Sequence, residues 1–306
     1  MRLPIAAAIS QRAMVRLPIA AAIISERIIR MKTRILVIIG LLILAAGLGA
    51  FLFLRPRKPA LNENKEEMSA AVLEQNILAD IPALEQKADI IGLKAVYQKL
   101  ISDFPNSKDA GAWQKKLDEI NLKLIFSSAV VPGLSQEYVV QPQDTLTKIA
   151  KQFNTTVELI KKSNGLASDN IRPGKKLKVW TARFTVFVDK SQNILTLKCN
   201  DEIIKTYNVA TGTNNSTPVG TFKIGNKLVN PVWYKEGAVV PAGSPENILG
   251  TRWLGFDDLP SYGIHGTTEP QSIGKQSTAG CVRMINAEVE ELYSLLPIGT
   301  EVTVVD

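Results

Sequence analysis

The chain of 306 residues holds one histidine, His265, and two cysteines, Cys199 and Cys281. So small a stock excludes whole classes. Two cysteines cannot build a disulfide framework. One imidazole and one free thiol cannot supply the ligand set that zinc needs, and neither a metal nor a cofactor is expected. The glycine-containing piece GTFKIGNK lacks the spacing of a phosphate-binding loop. Concentrated positive charge is also missing from the body of the chain. The formal net charge is +7, yet residues 1–60 carry ten Lys/Arg against one acid, whereas residues 181–306 carry ten against thirteen. The basic excess surrounds an apolar run, so it gives no support for nucleic acid as a partner.

That run, Ile35–Leu54, is twenty residues without a charge, enough to cross about 30 Å of hydrocarbon as a helix. Arg30, Lys32 and Arg34 precede it, and Arg55, Arg57 and Lys58 follow. Further arginines upstream favour a cytoplasmic N-terminus. A cleaved signal peptide is the alternative, but no A-x-A site follows and no cysteine stands where a lipid would attach. A single-pass anchor in a bacterial inner membrane is expected over 35–54, with the remainder in the periplasm or on the outer face. Before it, RLPIAAAI occurs twice, at Arg2–Ile9 and Arg16–Ile23. Residues 1–34 read as a basic cytoplasmic tail, or residues 1–30 as an over-extended reading frame ahead of Met31.

Residues 62–126 are rich in Ala, Leu, Glu and Lys at helical spacing. Pro82 and Pro105 should mark helix boundaries. Tyr97, Leu100, Phe104-Pro105, Ser107 and Ala112 resemble one tetratricopeptide-like hairpin. A single unit cannot cover its own apolar face, so a helical stalk is expected, its partners open.

Residues 136–180 change character. Tyr138-Val139-Val140 reads as a strand, Asp144 or Thr145 as a cap for a helix carrying Leu146, Ile149, Ala150 and Phe153, and Thr156 as the start of a second helix. Asn164-Gly165 stops that helix, Pro173-Gly174 turns, and Leu177–Val179 returns as a strand. With Leu166 and Ile171, these residues resemble a LysM domain over its whole length. The resemblance implies a βααβ module that binds N-acetylglucosamine-containing glycans such as peptidoglycan. Gln143 departs from the usual glycine and is expected to restrict the backbone beside the sugar groove.

From 182 to 306 strands dominate (FTVFVD, NILTLKC, EIIKTYNVAT, EVTVVD), with Glu288–Leu295 as the one clear helix. Cys199 ends an alternating strand and reads as a small buried hydrophobe. Cys281 stands sixteen residues after His265 in YGIHGTTEPQSIGKQSTAGCVRM. An imidazole is suited to take a thiol proton near neutral pH, and the thiolate is the nucleophile. Thr211-Gly212, Thr217–Gly220, Pro231–Trp233, Asn247–Trp253, Ile264–Gly266 and Ser277–Met284 form an ordered series. That series resembles the L,D-transpeptidase catalytic domain of YkuD type, with Ala279 where many members carry a second histidine. The fold class expected is therefore multidomain: a mostly β catalytic domain preceded by the βααβ module, the helical stalk and the anchor.

The resemblance implies Cys281 as nucleophile, His265 as base, and the Gly266 carbonyl as the group that orients the ring. A thiolate–imidazolium pair would then rely less on a buried carboxylate. Backbone N–H groups of Ala279, Gly280 and Cys281 are candidates for the oxyanion hole. Arg283 either binds a substrate carboxylate or braces the loop. Ser277 and Trp253 are further candidates for substrate contact, and Trp233, Tyr234 and Tyr262 for cleft walls. The implied partners are peptidoglycan strands and their stem peptides. The implied reaction removes D-alanine from a tetrapeptide stem and passes the acyl group to an amine. Water as acceptor, or a wall-binding protein without activity, are the alternatives.

Overall fold

The computed structural model describes residues 70–235 and 237–306. The expected tail (1–34) and anchor (35–54) lie outside them. Among the described residues no helix is long and apolar enough to cross a membrane.

Residues 70–78 are helical, followed by α1 (Ile81–Gln86), α2 (Ile90–Asp103) and α3 (Ala110–Phe126). Pro82 sits in the first turn of α1, where a missing N–H costs nothing. Pro105 lies just beyond α2. Tyr97 and Leu100 of α2 pack against Trp113, Leu117 and Ile120 of α3. A free-standing stalk is not what forms. Burial wraps round α3 to Asn121, Leu124 and Ile125, so one helix covers both α2 and the catalytic sheet. Asn121 Nδ2 donates to the Ile204 carbonyl at 3.0 Å, and Lys94 pairs with Glu202 at 2.8 Å.

The next module is β1 (Ser135–Val139), α4 (Leu146–Gln152), α5 (Val157–Ser163) and β2 (Lys176–Trp180). The two strands pair antiparallel, from Ser135↔Trp180 to Val139↔Lys176. Thr145 caps α4 by accepting from Lys148 N at 3.2 Å, and Thr156 caps α5 by accepting from Leu159 N at 2.9 Å. Asp144 instead accepts from Gln141 N and Tyr138 OH, each at 2.7 Å. Gln143 adopts φ +71°, a left-handed conformation that costs a non-glycine residue about 1–2 kcal/mol.

Lys178 ties this module to α3. Its buried ammonium donates to the carbonyls of Leu124 (2.7 Å), Ile125 (3.2 Å) and Ser127 (2.8 Å), at the end of the helix where acceptors are unpaired. Burial pulls its pKa down to about 8. Lys178→Met should lower stability by about 3 kcal/mol, because the carbonyls are left buried and unsatisfied. A urea melt should show one earlier transition, not the loss of a separate module.

The catalytic part comprises β3 (Phe184–Asp189), β4 (Ile194–Cys199), β5 (Glu202–Asn208), β6 (Thr211–Gly212), β7 (Gly220–Val229), β8 (Trp233–Lys235), β9 (Ala238–Val240), β10 (Arg252–Phe256), β11 (Gly263–His265), β12 (Gln276–Thr278), β13 (Val282–Arg283), α6 (Asn286–Leu295) and β14 (Glu301–Val305). Eight strands form one sheet in the order β13-β11-β10-β7-β14-β3-β4-β5. Pairs β14–β3 and β11–β13 are parallel. The domain is mostly β, as its alternating patterns indicate, and Cys199 is buried at the end of β4. Against α6, Thr156 Oγ1 donates to the Ser294 carbonyl, and Lys162 Nζ reaches Ser294 Oγ at 2.8 Å.

Candidate active site

The parallel pairing of β11 with β13 brings the two rare side chains together. Ile264 lies opposite Val282 and His265 opposite Arg283, so Cys281, one residue ahead of β13, falls beside the end of β11. His265 and Cys281 line one cleft of about 550 Å³, walled by Trp233, Tyr234 and Trp253 and floored by Ala279. The hairpin β8–β9 supplies the first two of these walls. Its base is held by Asn247, whose Nδ2 donates to the Pro231 carbonyl at 2.8 Å.

The imidazole is buried and lies face to face with Trp253, ring centres 5.9 Å apart. Its Nδ1 is 2.7 Å from the Gly266 carbonyl. A carbonyl only accepts, so Nδ1 carries the proton and Nε2 is left as the basic nitrogen. Burial depresses the pKa to about 4, the hydrogen bond to Gly266 opposes this, and the Arg283 charge adds to it. Cys281 Sγ lies 3.6 Å from the Ser261 carbonyl. Burial raises the thiol pKa, against smaller lowering effects from the Gly263 backbone and Arg283. Both shifts favour the uncharged forms. The resting site is a neutral thiol beside a neutral imidazole, not the thiolate–imidazolium pair expected from sequence.

The turn before Cys281 is held by Thr278, whose Oγ1 donates to the Cys281 carbonyl at 2.7 Å and accepts from Gly280 N at 3.1 Å. That second bond corrects one expectation: the Gly280 N–H is already engaged. Gly280 has φ +133°, and a Cβ there would stand 2.6 Å from Tyr262 Cε1. Tyr262 therefore packs against the turn.

Arg283 lines the cleft but is only 4% exposed. Its Nη1 donates to Glu269 Oε2 at 2.7 Å and to Ser272 Oγ at 3.0 Å, while Nε is buried without a partner. This is a brace for the loop between β11 and β12. Ser277 is exposed, and its Oγ lies 3.4 Å from the Ser272 carbonyl. It is not among the cleft-lining residues, because the twist of β12 turns it outward while Thr278 turns in.

One residue escapes sequence reasoning. Asn286 Oδ1 accepts from Thr251 N at 3.1 Å and from Thr267 N at 3.0 Å, and its Nδ2 donates to the Thr267 carbonyl at 2.9 Å. A polar residue opening a helix looks like an ordinary cap, so nothing local marks it. Among the described residues no group of acids, cysteines and histidine could hold a metal ion.

A buried base with a fixed tautomer beside a thiol in an apolar cleft is suited to acyl transfer through a thioester. Comparison with known proteins agrees in class. Residues 183–304 match the L,D-transpeptidase catalytic domain, YkuD, and residues 138–180 match the LysM domain. A protein named "Putative L,D-transpeptidase YqjB" from Bacillus subtilis is 42% identical over 126 residues, 40% of this chain and 70% of the relative. "Putative L,D-transpeptidase YkuD" from the same organism is 34% identical over 174 residues, 55% of this chain and 97% of the relative. An Enterococcus faecium L,D-transpeptidase C442S mutant of known structure is 17% identical, with a TM-score of 0.35. The match covers 40% of this chain and half of that one. The chain belongs to the L,D-transpeptidase family and carries a LysM domain.

Proposed function

We propose that the protein is a peptidoglycan L,D-transpeptidase acting on tetrapeptide stems. The observation that carries the reading is the shared cleft of His265 and Cys281, with Nδ1 committed to Gly266. His265 Nε2 takes the Cys281 proton as sulfur attacks the carbonyl between the third residue and the terminal D-alanine. The carbonyl oxygen becomes an oxyanion, for which Ala279 and Cys281 N–H are the remaining donors in the turn. The intermediate collapses to a thioester, and the proton on Nε2 goes to the departing D-alanine amine. A side-chain amine of a second stem then attacks the thioester, and the thiol is restored. The product is a 3–3 crosslink.

The LysM module holds glycan near the cleft and so raises the local concentration of stems. The uncharged run at 35–54 anchors the chain, with both domains on the outer face where such glycans lie. Arg283 acts as a brace whose charge favours the thiolate as it forms.

Mass spectrometry of disaccharide-tetrapeptide after incubation tests the reading. A dimer lighter by one D-alanine is expected, and Cys281→Ala should give none. Tripeptide alone would make water the acceptor. An unchanged substrate with the unmodified protein would reject the enzymatic reading.

A further inference from the structure

We propose that Asn286 is a positioning residue for the base, holding the one peptide whose carbonyl orients His265. Its catalytic consequence rests on the acyl-transfer reading above, but its structural consequence does not. The peptide joining Gly266 to Thr267 has two polar ends. The carbonyl accepts from His265 Nδ1 at 2.7 Å, and the N–H donates to Asn286 Oδ1 at 3.0 Å. A peptide unit is planar, so holding its N–H fixes the direction of its carbonyl. Asn286 is itself clamped, since Oδ1 also accepts from Thr251 N and Nδ2 donates to the Thr267 carbonyl. No freedom is left for the amide to flip.

The space for this amide is made by two glycines. A Cβ on either Gly250 or Gly266 would collide with Asn286 Oδ1. Gly250 also sits at φ +63°, which glycine adopts without strain. Two glycines and an asparagine thus form one unit around the base. The line Asn286 Oδ1···H–N–C=O···H–Nδ1 runs through a conjugated peptide, so each hydrogen bond polarises the next. It does for this imidazole what a buried carboxylate does in a serine triad: it fixes the tautomer without placing a full negative charge beside the ring. The charged neighbours are Arg283, in register with His265, and Glu269, which pairs with it.

The chain has a single histidine, so ring ¹⁵N signals of the histidine-labelled protein are unambiguous. In the unaltered full-length protein Nδ1 should carry the proton and Nε2 should not. In Asn286→Ala the two tautomers should mix, and the rate of Cys281 acylation by a carbapenem should fall about 100-fold, as expected for a misplaced catalytic group. Asn286→Asp keeps the two accepting contacts. It should preserve the tautomer but raise the ring pKa, moving the acid limb of acylation to higher pH. A folded Asn286→Ala protein with an unchanged tautomer and acylation rate would overturn the proposal. So would an Asn286→Asp protein with an unchanged ring pKa, and that variant decides the matter alone if the alanine variant does not fold. If the unaltered protein reacts with neither carbapenem nor tetrapeptide, the transpeptidase reading fails, while the tautomer result still tests the positioning role.

Discussion

His265→Ala should slow acylation of Cys281 at pH 7 by about 100- to 10,000-fold, the usual span for loss of a general base. The pH dependence should change as well as the size. In the unaltered protein the base is buried and its pKa is depressed to about 4, so the rate should rise through that region and then level off. In the variant only solvent hydroxide can remove the thiol proton. Burial raises that thiol's pKa, so the variant's rate should keep climbing with pH beyond the ordinary thiol range. A preformed ion pair would give the opposite order, with the rising limb belonging to the thiol and the falling limb to the imidazole. Stopped-flow acylation from pH 4 to pH 10 separates the two.

Stability should carry the same signature. The unfolded imidazole takes a proton near pH 6.5, the folded one only near pH 4. Between those values the unfolded state binds more protons, so stability present above about pH 6.5 is lost as pH falls through 4. The gap corresponds to about 3 kcal/mol. Urea melts at pH 7 and pH 4 should show this loss in the unaltered protein and not in His265→Ala.

The second large effect should come from Gly280→Ala. At φ +133° an L-residue is strained by about 1–3 kcal/mol, and the new methyl would meet the Tyr262 ring at 2.6 Å. Either the turn or Tyr262 must move. Cys281 is the next residue, and displacing a nucleophile by about 1 Å costs roughly 100-fold. Acylation should fall by at least that amount, with a lower melting temperature. Gly280→Ala,Tyr262→Ala relieves the contact but not the backbone strain, so it should recover only part of the rate. Full recovery would show that the ring contact alone matters.

These two residues also show what can be read from sequence. His265 and Cys281 stand out because each is rare and their spacing lies in a dense motif. The caps Thr145 and Thr156 and the strands of the catalytic domain are legible because each follows local periodicity. Direction within a turn is not local. Ser277 and Thr278 are adjacent hydroxyls of the same motif, yet only Thr278 faces the cleft, because pairing with β6 fixes which side of β12 looks inward. The engaged N–H of Gly280 and the buried brace at Arg283 depend on partners two to fourteen residues away in sequence. Helices 70–126 read as a stalk because helical periodicity reveals that a face is apolar, not what it covers.

Where one module ends is a separate question from where one fold ends. The two family matches meet between residues 180 and 183, as if a cut there would release two intact pieces. The interior ignores that seam: Trp180 stacks on Phe184 at 5.8 Å, and Leu124, Ile125 and Leu159 share one core with Val186 and Leu197. A fragment beginning at residue 182 would surrender the Lys178 clasp and uncover that apolar interior, inviting aggregation. Evolution joined these modules as separable inheritances, but the finished molecule has welded them into a single cooperative body.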